Sequence, residues 1–218
     1  MENVANSDRA AIAPYAYAIA GRPLAGERHS GDAGMVCPTA SGVLISVVDG
    51  LGHGTEAAAA SRLAIQTCRE HAGEPVMQII ARCHSALLPT RGAAMVVAAI
   101  DCGKQSLSWL GVGNVEAILL AGTPQPSRRI TPLTNGSGVV GYRLPPLETR
   151  IAAIQPGDRL VFATDGVDER FAYDEIPTGT PYEVAHAILD KHGKTGDDAL
   201  VLVVHWLGPT LAAATVRS

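Results

Sequence analysis

The sequence predicts an α+β fold in which antiparallel strands supply much of the core. Three observations carry that expectation. Short apolar runs rich in β-branched residues recur with tight Gly- or Asp-containing turns between them, the pattern of hairpins and meanders. Two long amphipathic stretches, 55–71 and 75–88, stand together before the middle of the chain, and a third, 181–192, near its end. The composition is 47% hydrophobic but only 4% aromatic and 17% charged, so a sizeable core has to be assembled from Ala, Val, Ile and Leu. No linker-like stretch divides the 218 residues, and we expect one domain over 1–218 with its core at about 15–207.

Taken in order, the chain opens with about ten polar residues. Residues 15–20 alternate bulky and small side chains and read as a strand. A loop over 21–31 carries Arg22, Glu27, Arg28 and His29 and ends in Gly31-Asp32. A short strand at 35–37, a turn at 38–42 and an apolar strand ending in Asp49 form a hairpin. Antiparallel pairing brings Asp32, at the start of one strand, to the same end as Asp49, at the finish of the other. Asp49 is followed by glycines at 50, 52 and 54 and then by an alanine-rich helix, whose apolar positions 57, 60, 63, 64 and 67 suit close packing against another layer. Val76, Ile79, Ile80, Cys83 and Leu87 make one stripe of the next helix. The runs 93–100, 106–112 and 115–121, separated by short turns, predict a three-stranded antiparallel meander. Residues 122–150, with five prolines and several glycines, read as a long irregular stretch. A strand at 158–163 ends in Thr164-Asp165-Gly166, a short acidic helix spans 168–173, and Asp197-Asp198 opens a last strand at 199–206, leaving a tail.

The bulk properties exclude several classes. Net charge is −4 and the longest basic block is Arg128-Arg129, which is no footprint for nucleic acid. The first ten residues lack the pattern of a signal peptide, and no apolar run approaches the roughly 20 residues of a membrane span, so a cytoplasmic protein without membrane attachment is expected. Four cysteines, at 37, 68, 83 and 102, contain no CxxC pair and read as buried thiols in a reducing compartment.

The chemistry lies in the acidic strand ends. Asp32, Asp49, Asp165 and Asp197 stand at the ends of apolar strands, each beside a glycine. One Asp-Gly after a strand is usually only a turn; the ordered recurrence is what raises it above that. Carboxylates gathered in one place repel one another unless a cation lies among them. Oxygen-only ligation suits Mg²⁺ or Mn²⁺, and two such ions can activate a water and clamp a phosphoryl group. Hydrolysis of a phosphate ester is the reaction class this implies.

The ordered motifs Ser30-Gly31-Asp32, Asp49-Gly50-Leu51-Gly52-His53-Gly54, Arg91-Gly92-Ala93, Val112-Gly113-Asn114-Val115, Ala163-Thr164-Asp165-Gly166 and Asp197-Asp198-Ala199 resemble those of the PP2C-type (PPM) metal-dependent serine/threonine phosphatases. They are most similar to the small bacterial SpoIIE-like branch, which acts on phosphorylated STAS-domain regulators, and within it to the stressosome phosphatases. The resemblance implies a four-layer α-β-β-α sandwich of two antiparallel sheets flanked by helices, with two Mn²⁺ or Mg²⁺ ions at one end and no phosphoenzyme. Asp49 would bridge both ions, the Gly50 carbonyl would be a ligand, Asp165 and Asp197 would complete the set, and Asp32 would stand in the first or second shell. Asp198 is the adjacent candidate for metal binding or for hydrogen bonding near the site. Substrate phosphate would be met by Arg28 or His29, in imperfect register with the arginine of larger relatives. His53 reads as a polar turn residue and Arg91-Gly92 as support for a strand. The partners implied are phosphorylated STAS-domain proteins of a stressosome-like complex, and the chain itself is expected to be a monomer or weak homodimer.

Two other readings compete. Gly52-His53-Gly54-Thr55-Glu56-Ala57 fits G-x-G-x-x-A between a strand and a helix, as in dinucleotide-binding domains. Against it, the acidic residue expected about twenty residues on falls inside a helix near Glu70, and Asp49 would face a pyrophosphate with like charge. The third reading is a phosphatase fold turned into a catalytically silent binding module.

Overall fold

The computed structural model describes residues 13–122, 130–133 and 136–209. The polar start, the tail after 209, and 123–129 and 134–135 of the irregular stretch lie outside the described residues. The elements are β1 (Tyr15–Arg22), β2 (Asp32–Thr39), β3 (Gly42–Gly50), α1 (Gly54–Glu70), α2 (Val76–Leu87), β4 (Ala93–Asp101), β5 (Ser106–Val112), β6 (Glu116–Leu120), β7 (Ile130–Pro132), β8 (Arg150–Ala153), β9 (Arg159–Ala163), a 3₁₀ turn (Glu169–Ala172), α3 (Pro181–His192) and β10 (Ala199–Trp206). They form two five-stranded sheets, β2-β3-β4-β5-β8 and β1-β10-β9-β6-β7. Every strand pairing is antiparallel.

The period of two along each strand sorts side chains into layers. On β3, Val43, Ile45 and Val47 face the second sheet and join Phe162, Leu202, Val204 and Trp206 in the central core. Leu44 and Val48 point the other way, into a layer with Ala60, Ala64 and Cys68 of α1 and Ile79, Ile80, Cys83 and Leu87 of α2. On the far side of the second sheet, Val161, Ala163, Val201 and Val203 pack against Val184, Ala185, Ile188 and Leu189 of α3. The order helix, sheet, sheet, helix is the four-layer α-β-β-α sandwich expected from the resemblance.

Small residues set the spacing of α1. A methyl group on Gly50 would run into the carbonyl oxygen of Ala57, so the helix backbone lies directly on the end of β3. Helix α3 begins in a capping box, with Thr180 accepting from the Glu183 amide and the Glu183 carboxylate accepting from the Thr180 amide. None of the described helices is long and apolar enough to cross a membrane. Of the four thiols expected to be buried, Cys68 and Cys83 are, with sulfurs 3.6 Å apart; Cys37 and Cys102 are partly exposed.

Three local expectations need correction. The meander does not exist: β4 and β5 pair in the first sheet, but β6 belongs to the second, between β9 and β7. The turn after β5 carries the chain across the sandwich. Gly113 takes a left-handed backbone (φ 94°), with Val112 and Val115 buried on either side of the crossing. A short turn looks alike in sequence whether it joins two strands of one sheet or of two stacked sheets. Within 122–150 the described residues are ordered. Pro132 closes the edge strand β7, where its missing N–H costs no ladder bond. Val140 exchanges two backbone hydrogen bonds with Ala93, both 2.9 Å, and Arg150 begins β8. The acidic helix at 168–173 is only a 3₁₀ turn, N-capped by Asp168.

A methyl at Gly50 can be accommodated only by lifting α1 off the sheet. Gly50→Ala should therefore cost about 1–3 kcal/mol, read as a lower thermal midpoint. An unchanged midpoint would show that the helix does not rest there.

Candidate active site

The acidic residues come from both sheets and meet at one end of the sandwich. Asp32 opens β2 and Asp49 closes β3, directly opposite each other in the ladder. Asp165 lies just past β9, and Asp197 and Asp198 just before β10, its neighbour in the second sheet. Asp49, Asp165 and Asp197 line one cavity of about 430 Å³, together with Gly52, His53 and Asn114. Neither Asp32 nor Asp198 lines it.

Asp32 is held by Thr164, whose hydroxyl donates to Oδ2 at 2.7 Å and accepts from the Leu200 amide at 2.9 Å. This contact joins β2 of one sheet to β9 and β10 of the other. Asp198 is almost fully buried, and its two oxygens accept backbone amides, Oδ1 from Leu24 at 2.8 Å and Oδ2 from Gly31 at 2.9 Å. It ties down the loop between β1 and β2. Asp197 Oδ1 accepts the Asp198 amide at 2.9 Å, which fixes the carboxylate at the cavity wall. Asn114 Nδ2 donates to Asp165 Oδ2 at 2.7 Å, and Lys194 Nζ to the Asp165 carbonyl at 2.6 Å.

The electrostatics follow from burial and like charge. Burial, and then Asp32 and Asp165, push the Asp49 carboxyl up to about 8. Burial raises Asp32 to about 7, against the lowering effect of the Thr164 hydrogen bond. Asp165 is raised as well, by burial and by Asp197, with Lys194 and Asn114 opposing. No three His, Cys, Asp or Glu side chains among the described residues are grouped tightly enough to ligate one ion as they stand. The carboxylates nonetheless share a cavity and perturb one another, and their chemistry is oxygen-only. A hard divalent cation fits that donor set; a thiophilic metal does not.

Arg28 and His29 are exposed on the β1–β2 loop and do not line the cavity. His53 reaches the rim, where its ring contacts the Glu27 carboxylate at 2.9 Å. Arg91 pairs with Glu56 beside the Gly52 turn, and the Gly92 carbonyl accepts the Leu51 amide at 3.0 Å. Three contributors escaped sequence reasoning: Thr164, Asn114 and Lys194. The first two stood in motifs as neighbours without a role. A hydroxyl immediately before a strand-end Asp, in an otherwise apolar run, was the available signal for Thr164.

A model of the SpoIIE family (stage II sporulation protein E) matches residues 39–207. The chain belongs to the SpoIIE family. The phosphoserine phosphatase RsbX of Bacillus subtilis is 27% identical over 162 residues, covering 74% of this chain and 79% of RsbX. A solved RsbX structure in complex with magnesium superposes with a TM-score of 0.77 at 22% identity, over 87% of this chain and 94% of that one. A chain from work on the bacterial stressosome, a modular system adapted to control secondary messenger signaling, gives 0.79 at 28% identity over 88% and 99%. The PP2C phosphatase domain of B. subtilis SpoIIE, with a fragment of its regulatory domain, gives 0.73 at 21% over 90% and 64%. This SpoIIE-family chain is thus a PP2C-type phosphatase by fold and descent, homologous to RsbX.

Two expectations follow from the site. In the metal-free protein Asp49 and Asp32 bind protons more tightly folded than unfolded, so their contribution to stability is complete below about pH 4 and is lost as pH rises through 7 to 8. Asp49→Asn should then raise the metal-free thermal midpoint at pH 8.5 by roughly 4–8 °C, for about 2 kcal/mol, with little effect near pH 4; equal midpoints at both pH values would contradict this. Thr164→Val keeps the shape but removes the tie between sheets and should cost roughly 1–3 kcal/mol, measured by denaturant titration.

Proposed function

We propose that this chain hydrolyses phosphoserine or phosphothreonine on STAS-domain proteins of a stressosome-like complex, using two Mn²⁺ or Mg²⁺ ions. The observation that carries the reading is the set Asp49, Asp165 and Asp197, drawn from both sheets to one cavity, where burial and neighbouring carboxylates push Asp49 and Asp165 up. Kinship supports it: RsbX is a phosphoserine phosphatase, one RsbX structure holds magnesium, and another similar chain comes from the stressosome.

Asp49, Asp165 and Asp197, with the Gly50 carbonyl, would hold the ions; Asp32 would support Asp49 from behind, and Asp198 would keep the β1–β2 loop in place. When bound, two such cations supply an acidified water and the charge neutralisation needed for in-line attack at phosphorus. The chain's own residues prepare the ground. Asn114 and Lys194 orient Asp165 through its side chain and its carbonyl. Thr164 keeps Asp32 in register with Asp49 by holding the two sheets together. Exposed Arg28 and His29 are assigned to the rim that meets the incoming phosphoprotein. Residues 15–207 act as one catalytic unit, and a cytoplasmic setting agrees with such partners.

The test is Mn²⁺-dependent release of phosphate from a phosphoserine STAS protein by wild type, Asp49→Asn and Asp165→Asn, with a chelator arm. Turnover should fall by at least about 100-fold in each control. A wild type that binds the phosphoprotein equally well with and without chelator, and releases no phosphate, would instead establish a binding module.

A further inference from the structure

The catalytic cavity does not end at Asp165. Asn114 and Asp165 also line a second hollow of about 300 Å³, whose far wall is Glu116 and Glu169. These two glutamates in turn line a third hollow, of about 260 Å³, closed by Ile118, Pro132, Ala172 and Tyr173. The three share lining residues in sequence and make one groove, leading from the phosphate-handling residues along β6 to an apolar end.

Its charges are unevenly satisfied. Asp168 is clasped by Arg170, and Lys194 donates to the Asp165 carbonyl. The side chains of Glu116 and Glu169 make no hydrogen bond or ion pair with any described residue. They lie close enough that Glu169 helps to push the Glu116 carboxyl up, behind the larger effect of burial. Beyond them Tyr173 is 85% exposed, an aromatic ring with no packing role in the fold. Like charges facing one another beside an exposed apolar surface leave a cation and an apolar group unprovided.

We infer that this groove receives the polypeptide flanking the phosphorylated residue, selecting a Lys or Arg at Glu116 and Glu169 and then an apolar side chain at Ile118, Pro132 and Tyr173. The inference rests on the phosphatase reading and adds the substrate sequence to it. Continuity with the catalytic cavity and charge complementarity name the occupant. Spacing gives the register: Glu116 and Ile118 are alternate residues of β6, about 6–7 Å apart, and Asn114, in the turn leading into that strand, precedes Glu116 by two residues. An extended peptide laid beside them puts the basic residue about two positions, and the apolar residue about four, from the phosphoserine.

The experiment uses the full chain in Mn²⁺ at low ionic strength, with phosphoserine peptides carrying Lys, Ala or Glu two positions before or after the phosphoserine. Turnover of p-nitrophenyl phosphate, which has no flanks, measures the catalytic centre in each variant. Wild type should favour Lys over Glu on one side by roughly 3- to 10-fold in kcat/KM, and the preference should shrink with added salt. It should fall towards unity in Glu116→Gln/Glu169→Gln and reverse in Glu116→Lys/Glu169→Lys. Wild type that hydrolyses p-nitrophenyl phosphate yet treats the peptides alike, or a preference that survives both double variants, overturns this inference alone. No hydrolysis of any phosphate ester brings down the phosphatase reading and this one with it.

Discussion

Four carboxylates, with a fifth tied behind them, converge where two sheets end, and nothing among the described residues fully neutralises them. Their mutual repulsion and desolvation are the constraint around which the rest of the molecule is arranged. A protein of ordinary marginal stability can hold such a cluster only if the strands that carry it are anchored elsewhere. The central strands β3 and β4 are buried almost throughout, and the sheets share a core of large side chains. Asp198 and Thr164 turn potential repulsion into attachment: one spends its charge on two backbone amides, the other places a hydroxyl against Asp32. What stays unsatisfied is the part that faces the cavity. On the proposed reading, stability is withheld locally at this cavity, to be returned when a divalent cation arrives.

The two halves of the site differ in how much of them could be read from sequence. Asp32 and Asp49 belong to one hairpin, so their proximity followed from pairing across a short turn. The layers came from the family resemblance, because Val43 to Val48 is apolar on nearly every residue and its division between two cores leaves no alternation to read. Asp165 and Asp197 were recognisable as strand ends, but their meeting with the first pair depends on how two sheets stack, which no local pattern encodes. The same limit produced the false meander: Gly113-Asn114 announces a turn and not a destination. Short edge strands escaped within the Pro-rich stretch because three or four residues are too few to show a period.

The ambiguity between Asp197 and Asp198 illustrates what geometry adds. In sequence they are equivalent neighbours. In a strand entering a sheet, adjacent side chains point to opposite sides, so one faces the cavity and its neighbour is driven into the protein, where only hydrogen bonding makes a carboxylate tolerable. The Asp165 side chain is likewise defined by what surrounds it. Asn114 comes from the turn that carries the chain from one sheet to the other, so the topological joint also orients Asp165.

Because the acidic residues are divided between the sheets, neither half of the sandwich carries a rudimentary version of the centre. Assembly is all or nothing for this site: a folding intermediate with one sheet formed owns strands, helices and half of the carboxylates, but no cavity. Catalytic competence therefore reports on the docking of the whole sandwich, and during biosynthesis it cannot precede the emergence of β10. A nascent or damaged chain therefore carries no partial form of the centre.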